Sequence, residues 1–279
     1  MVAVAKGEPM DAYDSYMRAV NQFREGNTLF SKVEIEVNIG CNRKCAYCFL
    51  ATRRRESVVQ SKSRTMEMEL FALLLSQLSD LSFSGEINFH FYSEPLLNMR
   101  LENYVEATRR KLPNVAIVLY TNGDRLDRNR YRQLQTAGVT KFYVTFHDDR
   151  IPESREELRT RPDVVYDTRS MILLNNRGGY LGACEHEQVS KLPCIYPSSS
   201  IIVTIDGNVL PCSCDFDEQM CFGNIKAASL ANIWNSEKAQ LFRSDLLAGL
   251  RAKHALCKDC DYYSSVLGLP SVAESSRNH

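Results

Sequence analysis

Three cysteines within eight residues, Cys41, Cys45 and Cys48, set the strongest constraint on what this chain can fold into. Their C-x3-C-x2-C spacing follows at once on an alternating, strand-like run over residues 33–38, so the thiols sit on a loop at a strand's end. Three thiolates on one short loop suit a metal that takes soft sulfur donors. On a four-iron cluster they leave one iron open to a ligand from outside the protein. A zinc knuckle is the competing reading of the same spacing. The chain has ten cysteines in all, and a disulfide framework would require an oxidising compartment. Residues 1–10 hold one lysine and no apolar run of signal length, so the sequence predicts a soluble cytoplasmic protein and metal-directed cysteines. Cys194, Cys212, Cys257 and Cys260 form a second group, and Cys184, Cys214 and Cys221 are left over.

The rest of the pattern says what carries these loops. Strands are expected over residues 33–37, 87–92, 115–121, 141–147 and 171–174, and helices over 66–81, 101–112 and 126–136. Alternating β and α elements of this length argue for an α/β fold, a parallel sheet with helices packed outside it. Ahead of it, Tyr13, Tyr16, Met17 and Val20 recur at helical spacing within residues 1–30, a helix that would cover the domain edge. The arginines at 53–55 and the charged stretch 148–167 read as solvated loops, with a substrate-binding lid as the alternative. Formal net charge is zero, from 34 basic and 34 acidic residues, which gives no argument for nucleic acid. No run approaches the ~18 apolar residues of a membrane span.

From about residue 181 the composition changes. Residues 201–205 and 208–210 flank Asp206-Gly207, a two-residue hairpin signal, and Ser229 caps a helix expected through 250, ahead of Cys257-Lys258-Asp259-Cys260. This part has too little apolar material to be stable alone, so a metal centre would hold it together. The expected organisation is an extension over 1–30, a main domain over 31–180, a small cysteine-rich domain over 181–262 and a tail over 263–279, polar and disordered after residue 269.

With Tyr47 just before its third cysteine, the loop resembles that of the radical S-adenosylmethionine (SAM) superfamily. The resemblance implies a partial (β/α) barrel with a [4Fe-4S] cluster at the C-terminal ends of its strands. SAM would chelate the open iron, and an electron donor such as flavodoxin or ferredoxin would drive its cleavage to a 5′-deoxyadenosyl radical. Tyr92-Ser93-Glu94-Pro95 stands where the family has a glycine-glutamate-proline segment, although two glycines are replaced. Tyr120-Thr121-Asn122-Gly123 resembles the turn near the SAM ribose and carboxylate, and Val144-Thr145-Phe146-His147 ends the next strand. Tyr47, Glu94, Thr121, Asn122 and Thr145 are therefore the implied SAM-binding residues, with His147 a hydrogen-bonding wall residue. Cys194 and Cys212, the 205–212 hairpin, Gly223-Asn224-Ile225, Ile233-Trp234 and the final C-x2-C resemble a SPASM-like "twitch" domain, a β-hairpin plus helix. That implies a second [4Fe-4S] cluster closed by four thiolates, with a four-cysteine zinc site as the alternative.

Within the superfamily, residues 34–38, 90–97, 120–124 and 176–179 resemble the 2-deoxy-scyllo-inosamine dehydrogenases of aminoglycoside biosynthesis. The implied substrate is an aminocyclitol or aminoglycoside. Arg177 would lie by the reacting hydroxyl, Tyr92 would touch substrate, and Glu34 or Glu36 would take a substrate ammonium group or else form a salt bridge. One departure is chemically purposeful: Cys214 stands where those dehydrogenases have a carboxylate. A thiol gives a hydrogen atom to a carbinol radical, as in the neomycin-type epimerases, so epimerisation is the expected reaction and dehydrogenation the alternative.

Overall fold

The computed structural model describes residues 9–26, 29–52, 64–148, 158, 160–168, 174–267 and 269. Helix α1 (Pro9–Glu25) leads into strand β1 (Lys32–Ile35), the cysteine loop and the short helix α2 (Phe49–Thr52). Helix α3 (Met68–Asp80) buries Phe71, Leu74, Leu75 and Leu78, one stripe at helical spacing, against the sheet. Then come β2 (Glu86–Asn88), α4 (Leu101–Lys111), β3 (Ala116–Thr121), α5 (Arg128–Ala137) and β4 (Lys141–Phe146). The alternation of β4 is the period-two pattern of a strand, with Phe142, Val144 and Phe146 buried and Tyr143 and Thr145 on the other face.

These elements build an eight-stranded α/β sheet that does not close. Its order is β5-β4-β3-β2-β1-β6-β7-β8, with β5 (Val164–Thr168), β6 (Ser200–Val203), β7 (Asn208–Leu210) and β8 (Gly223–Asn224). Neighbours from β5 through β6 pair in parallel, and β6-β7-β8 is antiparallel. One face sends Val33, Ile35, Ile87, Leu119, Phe142 and Val203 into the core. By alternation the other face carries Glu34, Asn88, Tyr120 and Tyr143, and the last two rings stack 5.0 Å apart. That polar face is the barrel's interior.

The structure differs from the sequence reading in three places. The charged stretch 148–167 ends in strand β5, whose Tyr166 stacks on Phe146 of β4; alternating Val164 and Tyr166 were hidden among charges. The strand expected over 87–92 stops at Asn88, and Tyr92 takes a φ of +49°, outside any strand geometry. The helix expected over 229–250 is two helices, α8 (Leu230–Trp234) and α9 (Glu237–Leu247), because Ser236 restarts the chain by accepting from the Ala239 amide (3.3 Å). The change near residue 181 is no break in the sheet, since β6 pairs with β1 over four positions. The hairpin at Asp206-Gly207 forms as expected, with Gly207 at φ +89°. The arginines at 53–55, most of the strand expected over 171–174 and the tail after 269 lie outside the described residues.

Helix α1 packs Tyr16 and Val20 on Leu192, Ile195, Leu247 and Val266, so it braces the cysteine-rich half. Two short helices there, α6 (Glu187–Ser190) and α7 (Tyr196–Ser199), precede β6. Among the described residues no helix is long and apolar enough to cross a membrane.

Candidate active site

Cys41, Cys45 and Cys48 leave the C-terminal end of β1 on one loop, all partly accessible, and a turn from the Cys48 amide to the Cys45 carbonyl (2.9 Å) brings the last two together. Polar ties hold the loop. Arg43 grips both oxygens of Asp124 (2.7 and 2.6 Å) and reaches Asp148 (2.7 Å). Those bonds hold the Asp124 carboxyl below its usual range. Asn122 donates to Asn42 (3.0 Å) and to the Cys41 sulfur (3.6 Å), which also accepts from the Arg43 amide (3.4 Å). Burial pushes the Cys41 thiol up to about 11, and those two donors oppose it by favouring the thiolate that iron requires.

Glu94 joins this loop to the third strand. Its buried carboxylate accepts from Thr121 Oγ1 (2.6 Å), the Asn122 amide (2.8 Å) and the Leu96 amide (3.0 Å). Burial raises its pKa and these bonds pull against the rise. Three of roughly four acceptor positions are thus used within the chain, so Glu94 braces the Thr121-Asn122-Gly123 turn and keeps one position for a ligand. Gly123 sits at φ +75°, where an added Cβ would meet Val144 at 2.5 Å. The Tyr47 hydroxyl bonds His147, as a wall residue should, and Thr145 stands beside them on the inner face of β4.

The second cysteine group converges on a small, apolar-walled cavity of about 20 Å³, lined by Cys194, Cys212, Cys214, Cys257 and Cys260. Four thiols in such a cavity fit a cluster that takes all its ligands from protein. Arg251, absent from the sequence reading, knots it together. Only 1 % exposed, it donates to the carbonyls of Leu192 (2.7 Å), Pro193 (3.0 Å), Cys260 (3.2 Å) and Tyr262 (3.2 Å), so it spans both ends of the cysteine set. Its charge also faces Cys194, Cys260 and Cys257.

Between loop and cavity lie Tyr92, Arg177 and Cys214. Arg177, at φ +54°, donates from Nε to the Tyr47 carbonyl (3.4 Å), lies 5.6 Å from the Tyr92 ring centre, and feels the charges of Tyr92, Cys214 and Cys48. Burial alone would lower its pKa, but these neighbours raise it, so it stays a cation. Asn176 fixes the turn by donating to Gly182 and Asp259 carbonyls (2.8 and 2.6 Å) and accepting from the Gly179 and Asp261 amides (both 3.1 Å). Tyr92 meets Phe49 and Phe216 edge-on (4.9 and 5.5 Å), and those two rings stack 5.0 Å apart. The Tyr92 hydroxyl is buried with no hydrogen-bond partner among the described residues. Burial raises its pKa, so it remains a phenol.

The glutamates are engaged within the chain. Glu34 pairs with Lys32 (3.0 Å) and accepts from the Tyr196 hydroxyl (2.8 Å). Burial would raise its pKa, yet Lys32 and His90 bring it below the usual range. Glu36 accepts from the Ile205 amide (3.0 Å). Cys214 is 7 % exposed and lines the same cavity as Cys212 and Cys260. Asn176 and Arg251 escaped the sequence reading because their partners are distant in the chain. The aromatic wall carried a local signal in Phe49 beside Cys48.

A three-thiol loop open to a ligand, a small thiol cavity and an open α/β sheet together define a two-centre iron–sulfur enzyme that works through SAM. Comparison with known proteins identifies it: the chain belongs to the radical SAM superfamily. The superfamily signature matches residues 35–150, and the SPASM iron-sulfur cluster-binding domain matches 194–261. The chain is 39% identical, over 241 residues, to the S-adenosyl-L-methionine-dependent 2-deoxy-scyllo-inosamine dehydrogenase of Niallia circulans, with 85% of this chain and 94% of that protein covered. It matches the crystal structure of BtrN in complex with AdoMet and 2-DOIA with a TM-score of 0.77 at 38% identity, covering 86% of this chain and 96% of the other. Against BtrN in an open conformation the TM-score is 0.66 at 36% identity, covering 85% and 94%. The radical SAM domain binds SAM and a [4Fe-4S] cluster, and the SPASM domain binds further iron–sulfur chemistry. These relatives favour dehydrogenation, and nothing in them supports the expected epimerisation.

Proposed function

We propose that the protein is a radical SAM dehydrogenase that oxidises a secondary alcohol of an aminocyclitol, of the 2-deoxy-scyllo-inosamine class, to a ketone. The observation that carries this reading is the position of Arg177, a partly buried cation that donates to the Tyr47 carbonyl beside Cys48 and precedes Gly178, which packs on Cys214. Cys41, Cys45 and Cys48 would hold a [4Fe-4S] cluster with SAM, which would supply radical chemistry toward the carbinol hydrogen, and Cys194, Cys212, Cys257 and Cys260 would hold a second cluster able to accept an electron.

The chain's own residues do the rest. Arg177 turns its fixed charge to the substrate hydroxyl, orients it and favours loss of its proton as the carbonyl forms. Tyr92 offers its unpartnered hydroxyl to a ring hydroxyl, which resolves a buried polar group that otherwise costs stability. Phe49 and Phe216 exclude water from the ring's edge. Glu94, Thr121 and Asn122 hold the turn under SAM, and Tyr47 and Thr145 border it. Glu34, tied to Lys32 and the Tyr196 hydroxyl, and Glu36, which accepts from the Ile205 amide, supply negative charge toward a substrate ammonium group. Flavodoxin or ferredoxin fits the need for a low-potential one-electron donor.

The test is the mass of products from a panel of aminocyclitols and aminoglycosides, incubated anaerobically in heavy water with reductant and SAM. A ketone two mass units lighter, formed equally well by Cys214→Ala, supports dehydrogenation. A product one unit heavier, its deuterium on carbon, would overturn it.

A further inference from the structure

The cavity of the second cysteine group is lined by five thiols, one more than a four-iron cluster can use. The surplus is specific. Cys221 donates its thiol to the Gly223 carbonyl (3.2 Å) and Cys184 to the His186 carbonyl (3.4 Å), away from the cavity. Cys214 instead folds back on its neighbour, its amide donating to the Cys212 sulfur (3.3 Å), and it lines the same cavity as Cys212 and Cys260. Two cysteines two residues apart thus present sulfur to one wall of one cavity. The Gly178 backbone packs directly against it: Gly178 is at φ +72°, and a side chain there would come within 3.2 Å of the Cys214 Cβ.

We propose that Cys214 is an exchangeable fifth ligand of the auxiliary cluster, competing with Cys212 for one iron. In the exchange the iron–sulfur bond to Cys212 breaks as the bond to Cys214 forms. The Cys214 thiol proton passes to the departing Cys212 sulfur, and no electron moves. A thiol bound to iron has no hydrogen to give, so the residue that looks like a hydrogen donor in the sequence serves the metal centre. The proposal rests on the auxiliary cluster and not on the reaction it serves, so a failed product assay leaves it standing.

The experiment uses the full chain carrying Cys41→Ala, Cys45→Ala and Cys48→Ala, so that only the auxiliary site takes up iron. Iron and acid-labile sulfide are measured after anaerobic reconstitution, with electron paramagnetic resonance of the reduced protein. With Cys212→Ala added, the chain should keep about four irons and show a shifted spectrum. With Cys212→Ala and Cys214→Ser together, iron should fall at least to half, as it should with Cys257→Ala, which has no substitute. Cys214→Ala alone should keep its iron. Circular dichroism of the double variant confirms that loss of iron is not loss of fold, and Cys212→Ser with Cys214→Ser serves if it is. Equal iron in the single and double Cys212 variants, high or low, would overturn the proposal, and so would loss of iron in Cys214→Ala.

Discussion

The two cysteine regions reach related ends by opposite means. The first gathers three thiols within eight residues on one accessible loop and holds them with polar side chains: Arg43 on Asp124, Asn122 on Asn42. The second draws its thiols from separate segments between Cys194 and Cys260 into an apolar cavity, and holds them by packing and by one buried arginine on four carbonyls. A centre that must admit a substrate-sized cofactor is built from local sequence and tolerates water. A centre that takes all its ligands from protein is built from tertiary structure, with Cys214 and Cys260 buried and Cys194, Cys212 and Cys257 partly accessible.

That contrast breaks most sharply in the cluster ligands. Cys45→Ala should abolish SAM cleavage, whereas Cys257→Ala should keep cleavage and lose ketone formation; deoxyadenosine and ketone counted in one assay give both numbers. If the two variants fail alike, the division of labour is wrong. Next in size is Arg251→Met, which leaves buried carbonyls unpaired and should destabilise the protein by about 3 kcal/mol in chemical denaturation, with iron lost from the auxiliary site first. Tyr92→Phe should leave stability unchanged or raise it by about 1 kcal/mol, since the buried hydroxyl has no partner among the described residues to lose. It should raise KM for the aminocyclitol roughly fivefold to tenfold, about 1 kcal/mol.

The smallest effect lies in the polar ties. The Asp124 carboxyl is held below its ordinary 3.8 by Arg43, so it stabilises the fold above that pH and the gain is lost as pH falls through the lowered value. Its partial exposure limits the gain to about 0.5 kcal/mol. The stability gap between the protein and Asp124→Asn should therefore be constant from about pH 5 to 8 and close in stronger acid. A gap that widens on acidification would remove Arg43 as its cause.

Legibility in the sequence follows the same division. The first loop, the Asp206-Gly207 hairpin and strands β1, β3 and β4 are written in short spacings, and the structure has them where they were expected. Cys194 to Cys260 were legible only through resemblance, because nothing local ties residues so far apart. Arg251 was silent altogether: an arginine near a helix end normally reads as surface, and its burial depends on carbonyls contributed from residues 192, 193, 260 and 262. The split between α8 and α9 did have a signal, Ser236 before Glu237, overridden by an apolar pattern that continues across it. Cys214 shows the reverse case: its chemistry is readable in the sequence, and its place on the wall of the cysteine cavity is not.

Strands β1 and β6 are hydrogen-bonded neighbours over four positions. One launches the SAM-side loop and the other carries the hairpin that leads to Cys212, so both redox stations are bolted to a single plate about 4.8 Å per strand wide. Thermal breathing that shifts one shifts the other with it. Backbone hydrogen bonds between neighbouring strands thus fix where both cysteine sites are anchored.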